Sequence, residues 1–154
     1  MLKAISKVMA VTLLSGLSAG CAGERPINLG AHNGTFIPCP PTPNCVSSQA
    51  ADQRHHIKPL VFTGAPDTAF SQLQQILADR GDTTAIEHGT GYLGVEFHTT
   101  FFVDDGEFLL DPGNSIIHVR SASRLGYSDF GKNRSRMEEI REELKRRLPP
   151  IEEP

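Results

Sequence analysis

The chain reads as an α+β domain: a mostly antiparallel sheet of about five strands, element order β-α-β-β-β-β-α, with the helices on one face. Three observations predict it. Asp111-Pro112-Gly113-Asn114 is a strong reversal signal between two short runs rich in apolar and β-branched residues, 107–110 and 115–119. Residues 92–100 alternate, with Leu93, Val95, Phe97 and Thr99 on one side and Glu96, His98 and Thr100 on the other. Two other stretches repeat apolar residues at helical spacing: Phe70, Leu73, Ile76 and Leu77, then Met137, Ile140, Leu144 and Leu148.

In chain order, residues 57–62 form a first strand, with Pro59 marking a sheet edge or a strand end. A helix opens at Ala65-Pro66-Asp67, where proline suits the first helical position and the aspartate suits the dipole, and Gly81 stops it. Residues 83–87 form a second strand, 88–91 a turn, and 92–100 a third strand; the 107–119 hairpin supplies the fourth and fifth. The loop 125–134 carries Gly126 and Gly131, with Ser128 and Asp129 able to accept bonds from nearby N–H groups. Ser135 and Glu138 are spaced as a capping box for the last helix. Glu142–Arg146 and Glu143–Arg147 are favourable i,i+4 pairs, and Pro149-Pro150 ends the helix.

The hairpin holds most of the polar information. A loop centred on 112–113 sets Asp105 opposite Arg120, Glu107 opposite His118 and Leu109 opposite Ile116, with Phe108 against Ile117 and Gly106 against Val119 on the apolar side. The polar face reads in two ways. Asp105, Glu107 and His118 form a candidate acid–base site, or the same residues are cross-strand pairs on a solvated face. Asp104 falls on the apolar side and must find hydrogen bonds from backbone or serine hydroxyls. If the third strand lies beside the fourth, His98 joins Glu107 and His118; hydrogen-bonded histidines are expected there, with no metal. His55 and His56, being adjacent, point to opposite sides.

Lys3 and Lys7, the apolar run 8–14 and the small residues 15–21 make a secretory signal, too short to span a membrane stably. Ser18-Ala19-Gly20-Cys21 resembles the lipobox of bacterial lipoproteins, with Ser18 where leucine is commoner. That resemblance implies cleavage before Cys21, a diacylglycerol thioether and an amide-linked acyl chain on it, and an address in the cell envelope, lipid-anchored and facing the periplasm. Ala22 after the cysteine favours the outer membrane. The alternative is an ordinary secretory signal with an incidental cysteine. With Cys21 assigned to lipid, Cys39 and Cys45 remain for a disulfide in an oxidising compartment. A metal site would lack a second pair of ligands, and a nucleophilic Cys45 would lack an evident base.

The chain then divides into a signal peptide (1–20), a flexible tether (21–36), one globular domain (37–148) and a short tail (149–154). Removing residues 1–20 takes Lys3 and Lys7 and no acid, moving the net charge from −3 to −5. That balance and the outward address argue against a nucleic-acid partner. The basic stretch 120–148 either offsets the acidic strands or faces an anionic surface.

Three segments, C-P-P-T-P-N-C-V-S-S at 39–48, D-D-G-E-F at 104–108 and R-S-A-S-R-L-G-Y-S-D-F-G-K-N-R at 120–134, resemble the signatures of the family catalogued as domain of unknown function 1499. The likeness covers about residues 37–147 and implies no particular reaction. The architecture also resembles the TATA-binding-protein-like or helix-grip arrangement, which is an analogy of fold alone. No G-x-S-x-G, H-E-x-x-H, Walker or Rossmann fingerprint is present, and no cofactor is expected. The leading expectation is a non-enzymatic domain, tethered to the membrane, that binds an envelope protein or a small ligand. Its candidate surface runs from the cysteine loop to Arg120, Ser121, Ser123, Arg124, Tyr127, Asp129 and Asn133. The same residues would alternatively lock the loop between the sheet and the last helix. An envelope hydrolase using Asp105, Glu107 and His118, and a scaffold for an envelope complex, are the other readings.

Overall fold

The computed structural model describes residues 23–150. The expected signal peptide, Cys21, Ala22 and the last four residues lie outside them. The elements are β1 (Cys45–Ser47), β2 (Leu60–Val61), α1 (Pro66–Asp79), β3 (Thr83–Gly89), β4 (Tyr92–His98), β5 (Val103–Asp111), β6 (Ile116–Ser123) and α2 (Lys132–Arg147). They form one antiparallel sheet in the order β1-β6-β5-β4-β3, with β2 also on β6. The α+β class is as expected. The expected first strand contracts to β2, and β1, inside the cysteine motif, is an additional strand. These two short pieces share the outer edge of β6, β1 along residues 120–122 and β2 along 116–117. Ser48 bridges the gap between them: its N–H donates to the Val119 carbonyl, and its hydroxyl accepts from the Val119 N–H.

The front face of the sheet carries the core. Leu93, Val95 and Phe97 of β4, Phe108 of β5 and Ile117 and Val119 of β6 meet the stripes of both helices, Phe70, Leu73, Ile76 and Leu77 from α1 and Met137, Ile140 and Leu144 from α2, with Leu148 just past its end. Full burial of each large side chain contributes on the order of 1.5–3 kcal/mol, so these periodic stripes are what dock the helices. α1 begins at Pro66 with Asp67 in its first turn, as its sequence indicates.

α2 begins at Lys132, three residues before the expected capping box. Asp129 does the capping: its carboxylate accepts from the N–H groups of Gly131 (3.0 Å) and Asn133 (2.7 Å). Ser135 is already inside the helix, its N–H bonded to the Gly131 carbonyl. On the exposed side Glu143–Arg147 forms as expected (2.8 Å), but Glu142 takes Lys145 and Arg146 turns to Glu143.

The hairpin register differs from expectation by two residues. Asp111 pairs with Ile116, so the loop holds four residues, with Ser115 in the left-handed region at φ 53°. Glu107 therefore faces Arg120, Asp105 faces Ala122, and His118 faces Leu109. A slip of two preserves which face each side chain occupies and changes every partner.

Part of the segment read as a tether is folded. It crosses the back face of the sheet, where Arg25 lies beside Gly94 and Glu87, the buried Gly30 N–H bonds Glu107, and the Phe36 N–H bonds Gln49. An acidic sheet face cannot be left buried without donors, and this strap supplies one of them.

Candidate functional site

Alternation along β6 divides the R-S-A-S-R run between the two faces of the sheet. Arg120 and Arg124 point to the back; Ser121 and Ser123 point to the front. D-D-G-E-F on β5 divides in the same way. The residues expected to share one surface thus build two separate buried networks.

On the back face, one Glu107 oxygen accepts from Arg120 (3.0 Å), and the other accepts from the Tyr92 hydroxyl (3.1 Å) and the Gly30 N–H (2.7 Å). Glu107 is fully buried, and Arg120 is only 3% exposed. Burial and the adjacent carboxylate push the Tyr92 phenol well above its ordinary pKa. Arg124 spans Asp105 in a two-pronged pair (2.9 and 2.7 Å) and also reaches Glu96. The bond to Asp105 is the main reason the guanidinium is held still more firmly protonated than a free arginine, with Glu96 adding to it and burial opposing it.

On the front face, Asp104 is met by Arg136 (2.9 Å) and not by backbone or serine donors, because α2 places this arginine over the end of the sheet. Arg136 is completely buried, and its guanidinium stacks on the Phe97 ring, 4.4 Å from the centroid. The ring in turn lies on Gly106, where an added Cβ would stand 2.4 Å from its edge. Asn133, also fully buried, joins the parts. Its side-chain oxygen accepts from Ser121 (2.5 Å) and Arg136 (3.1 Å), while its amide donates to Ser123 (2.9 Å) and to the Asn44 carbonyl in the cysteine loop (3.1 Å). The Asn44 amide donates to the Gly126 carbonyl (2.7 Å). Cys39 and Cys45 are joined by a disulfide, Cα atoms 5.7 Å apart. Its loop is therefore tied both to itself and to α2.

The expected Glu107–His118 dyad does not form. His118 lies next to Ser48 (Nδ1 to Oγ, 3.1 Å) and near Asp111 (3.9 Å). His98 pairs with Val103 and approaches Glu96 (3.5 Å), away from both. Among the described residues no group of His, Cys, Asp and Glu could hold a metal ion. His55 and His56 do diverge: the first is buried on Asp52 and the Thr42 carbonyl, the second is exposed. Of the candidate binding residues, Arg120, Ser121, Ser123, Arg124 and Asn133 serve the internal networks, Asp129 caps α2, and Tyr127 alone projects outward, 71% exposed.

What the sequence reading missed is apolar. Phe102, Leu125 and Phe130 line a groove of about 330 Å³ at the end of the sheet where β4 turns into β5 and β6 leads to α2. Phe101 and Tyr127 stand exposed nearby in chain order, and Phe130 is almost wholly open to solvent. Their signal was present, since aromatic residues in turns belong to no stripe that would bury them. Hollows of about 350 Å³ between α1 and β3–β4 and about 380 Å³ beside the cysteine loop touch none of the arginines or of the acids Asp104, Asp105 and Glu107. No helix among the described residues is long and apolar enough to cross a membrane.

A six-stranded antiparallel sheet, two helices on its front, and three sequence motifs interlocked through buried charge define a small α+β domain. The chain belongs to the family described as "Protein of unknown function (DUF1499)", whose model matches residues 36–144. No curated protein and no solved structure matches it.

Proposed function

We propose that this chain is a bacterial cell-envelope lipoprotein, anchored through lipid on Cys21 and facing the periplasm, most consistent with the outer membrane. Its family domain acts as a non-enzymatic binding or interaction module for an envelope protein or a small envelope ligand. The signal-like start, the lipobox-like 18–21 and a disulfide suited to an oxidising compartment support the address. The observation that carries the non-enzymatic reading is pairing: every carboxylate and arginine of the two later motifs except the exposed-side Arg134 meets a buried partner or a helix end, and the one donor these residues leave over, Arg120 Nε, is buried. Arg134 itself donates to the backbone carbonyls of Arg54 and His56. An acid–base catalyst needs a proton-transferring atom facing substrate, and Asp105 and Glu107 have none free. Recognition then falls to what these networks hold rigid, chiefly the cysteine loop and the hollow beside it, lined by Phe36, Ile37, Pro38 and Gln49.

The test has two parts. Mass of the mature protein, with and without reductant and alkylation, should give a lipidated chain beginning at Cys21 and two thiols released only by reduction. A photoreactive residue in place of Ala51, at the rim of the hollow, should yield a discrete adduct in intact envelopes. An unlipidated mature chain would refute the address. Hydrolysis of an envelope polymer that disappears in a folded Glu107→Gln variant would refute the non-enzymatic reading in favour of the hydrolase.

A further inference from the structure

The exposed aromatic end has a built character. Phe102 sits in a turn closed on Thr99, whose hydroxyl accepts from the Phe102 N–H and donates to the Phe102 carbonyl, both at 3.0 Å. Phe130 adopts φ 52°, a conformation that a bulky residue enters at a cost. The loop is held there by the Ser128 hydroxyl, which accepts from the Phe130 N–H, and by Asp129, which turns its charge inward onto α2. The effect is to present the ring outward, 97% exposed, across a groove from Phe102. Lys132, exposed and in no ion pair among the described residues, stands at the rim.

The start of the described chain arrives at this same end. Gly23 lies against the loop after β6: a Cβ there would be 2.9 Å from the Arg124 Cβ and 3.0 Å from the Leu125 Cγ, and its φ of +71° permits the approach. Leu125 lines the aromatic groove. Only Ala22 separates Gly23 from Cys21, a span of at most about 7 Å. An acyl group on Cys21 must therefore emerge beside the groove, and no tether long enough to lift the domain away intervenes.

We infer that Phe101, Phe102, Leu125, Tyr127 and Phe130 form a bilayer-contacting surface, which seats the domain directly on the membrane that holds its lipid. This rests on the lipid-anchor reading and deepens it. Aromatic side chains partition into the headgroup region, with a tyrosine hydroxyl placed at the wet side. A lone lysine at the rim suits anionic headgroups. Acyl chains together with an apolar protein surface make a two-part anchor that is stronger than either part. The turn at Pro112–Ser115, at the other end of β6, would face away from the bilayer.

The chain contains no tryptophan, so one substitution supplies a single emitter. The full-length lipidated protein carrying Phe130→Trp is placed in vesicles of phosphatidylethanolamine and phosphatidylglycerol with brominated acyl chains. Emission should shift to the blue and be largely quenched. Asn114→Trp, in the far turn, should stay unquenched, and Phe101→Trp serves as a second reporter should Phe130→Trp fail to fold. Flotation is scored on the same samples. Protein that floats with its reporters unquenched keeps the anchor and overturns the surface. Protein that does not float, with an unmodified Cys21 by mass, overturns both. Reporters that become shielded only as protein concentration rises, without bromine quenching, identify a second copy as the occupant and also overturn the proposal.

Discussion

The buried charge networks of the sheet and its aromatic end are opposites. In the networks, four carboxylates and three arginines, the groups most often associated with chemistry, are turned inward and paired with one another. At the end, phenylalanines, the residues most often associated with a core, face water from turns that hold them in place. Residue type is thus a poor guide to role in this domain. The informative quantity is whether a side chain is still open to a partner: the carboxylates of the ion pairs are all met and the two guanidinium donors left over, Arg120 Nε and Arg136 Nε, are buried, whereas the aromatic surface is exposed.

Loss of one partner from a buried pair should have the largest effect. Arg136→Met would strand Asp104, and Arg120→Met would strand Glu107, each costing about 3–5 kcal/mol because an uncompensated charge remains inside. Urea denaturation should register the two alike, one for each face of the sheet. An Arg120→Met protein of near-normal stability would mean that the back face is open to solvent after all, and the contrast would collapse.

Gly106→Ala comes next. Its methyl would push into the Phe97 ring and the Val95 side chain, an overpacking cost of about 1–3 kcal/mol. Phe97→Leu should recover part of this in the double variant, since the two sites touch. Additive losses would show that the glycine is needed for some other reason.

The aromatic end should respond in the other direction. Phe130→Gly relieves a left-handed backbone and removes a ring that packs little against the domain, so stability should hold or rise by up to about 1 kcal/mol. A fall comparable with the arginine variants would place Phe130 among the structural residues.

The smallest effect at neutral pH belongs to Tyr92. Its phenol is held protonated to higher pH when folded than when unfolded, chiefly by burial and then by Glu107. Stability from this source is present below the ordinary tyrosine pKa of about 10 and is lost as pH rises beyond it. Melting temperatures across that range should fall for the natural protein and fall less for Tyr92→Phe. Equal slopes would remove Tyr92 from the Glu107 network.

Much of the scaffold was legible in the chain. Both helical stripes, the hairpin and the disulfide pairing follow from local spacing, turn chemistry and the cysteine count. The candidate site was legible only in part. Asp105, Glu107 and Arg120 are placed on one face because a strand alternates strictly, and that parity survives the two-residue slip. Their partners were not legible: the slip replaced His118 with Arg120 opposite Glu107, and Arg124, beyond the strand, curled back to Asp105. Nothing in the sequence sets Arg136 apart from the other cations of α2, because the angle at which α2 meets the sheet decides whether it sees water or Asp104.

Local repetition of two and of 3.6 residues, with glycine and proline at the reversals, determined which segments became strands and helices and which way each side chain faced. Such patterns are set by the backbone of a few consecutive residues and need nothing from the rest of the chain. The folded molecule decided which charge met which, that residues 23–36 would close over the back face, and that Phe102, Leu125 and Phe130 would gather beside Gly23. Those outcomes join residues far apart in sequence. They depend on register, docking angle and the cost of leaving a buried charge alone, none of which is written at any single position.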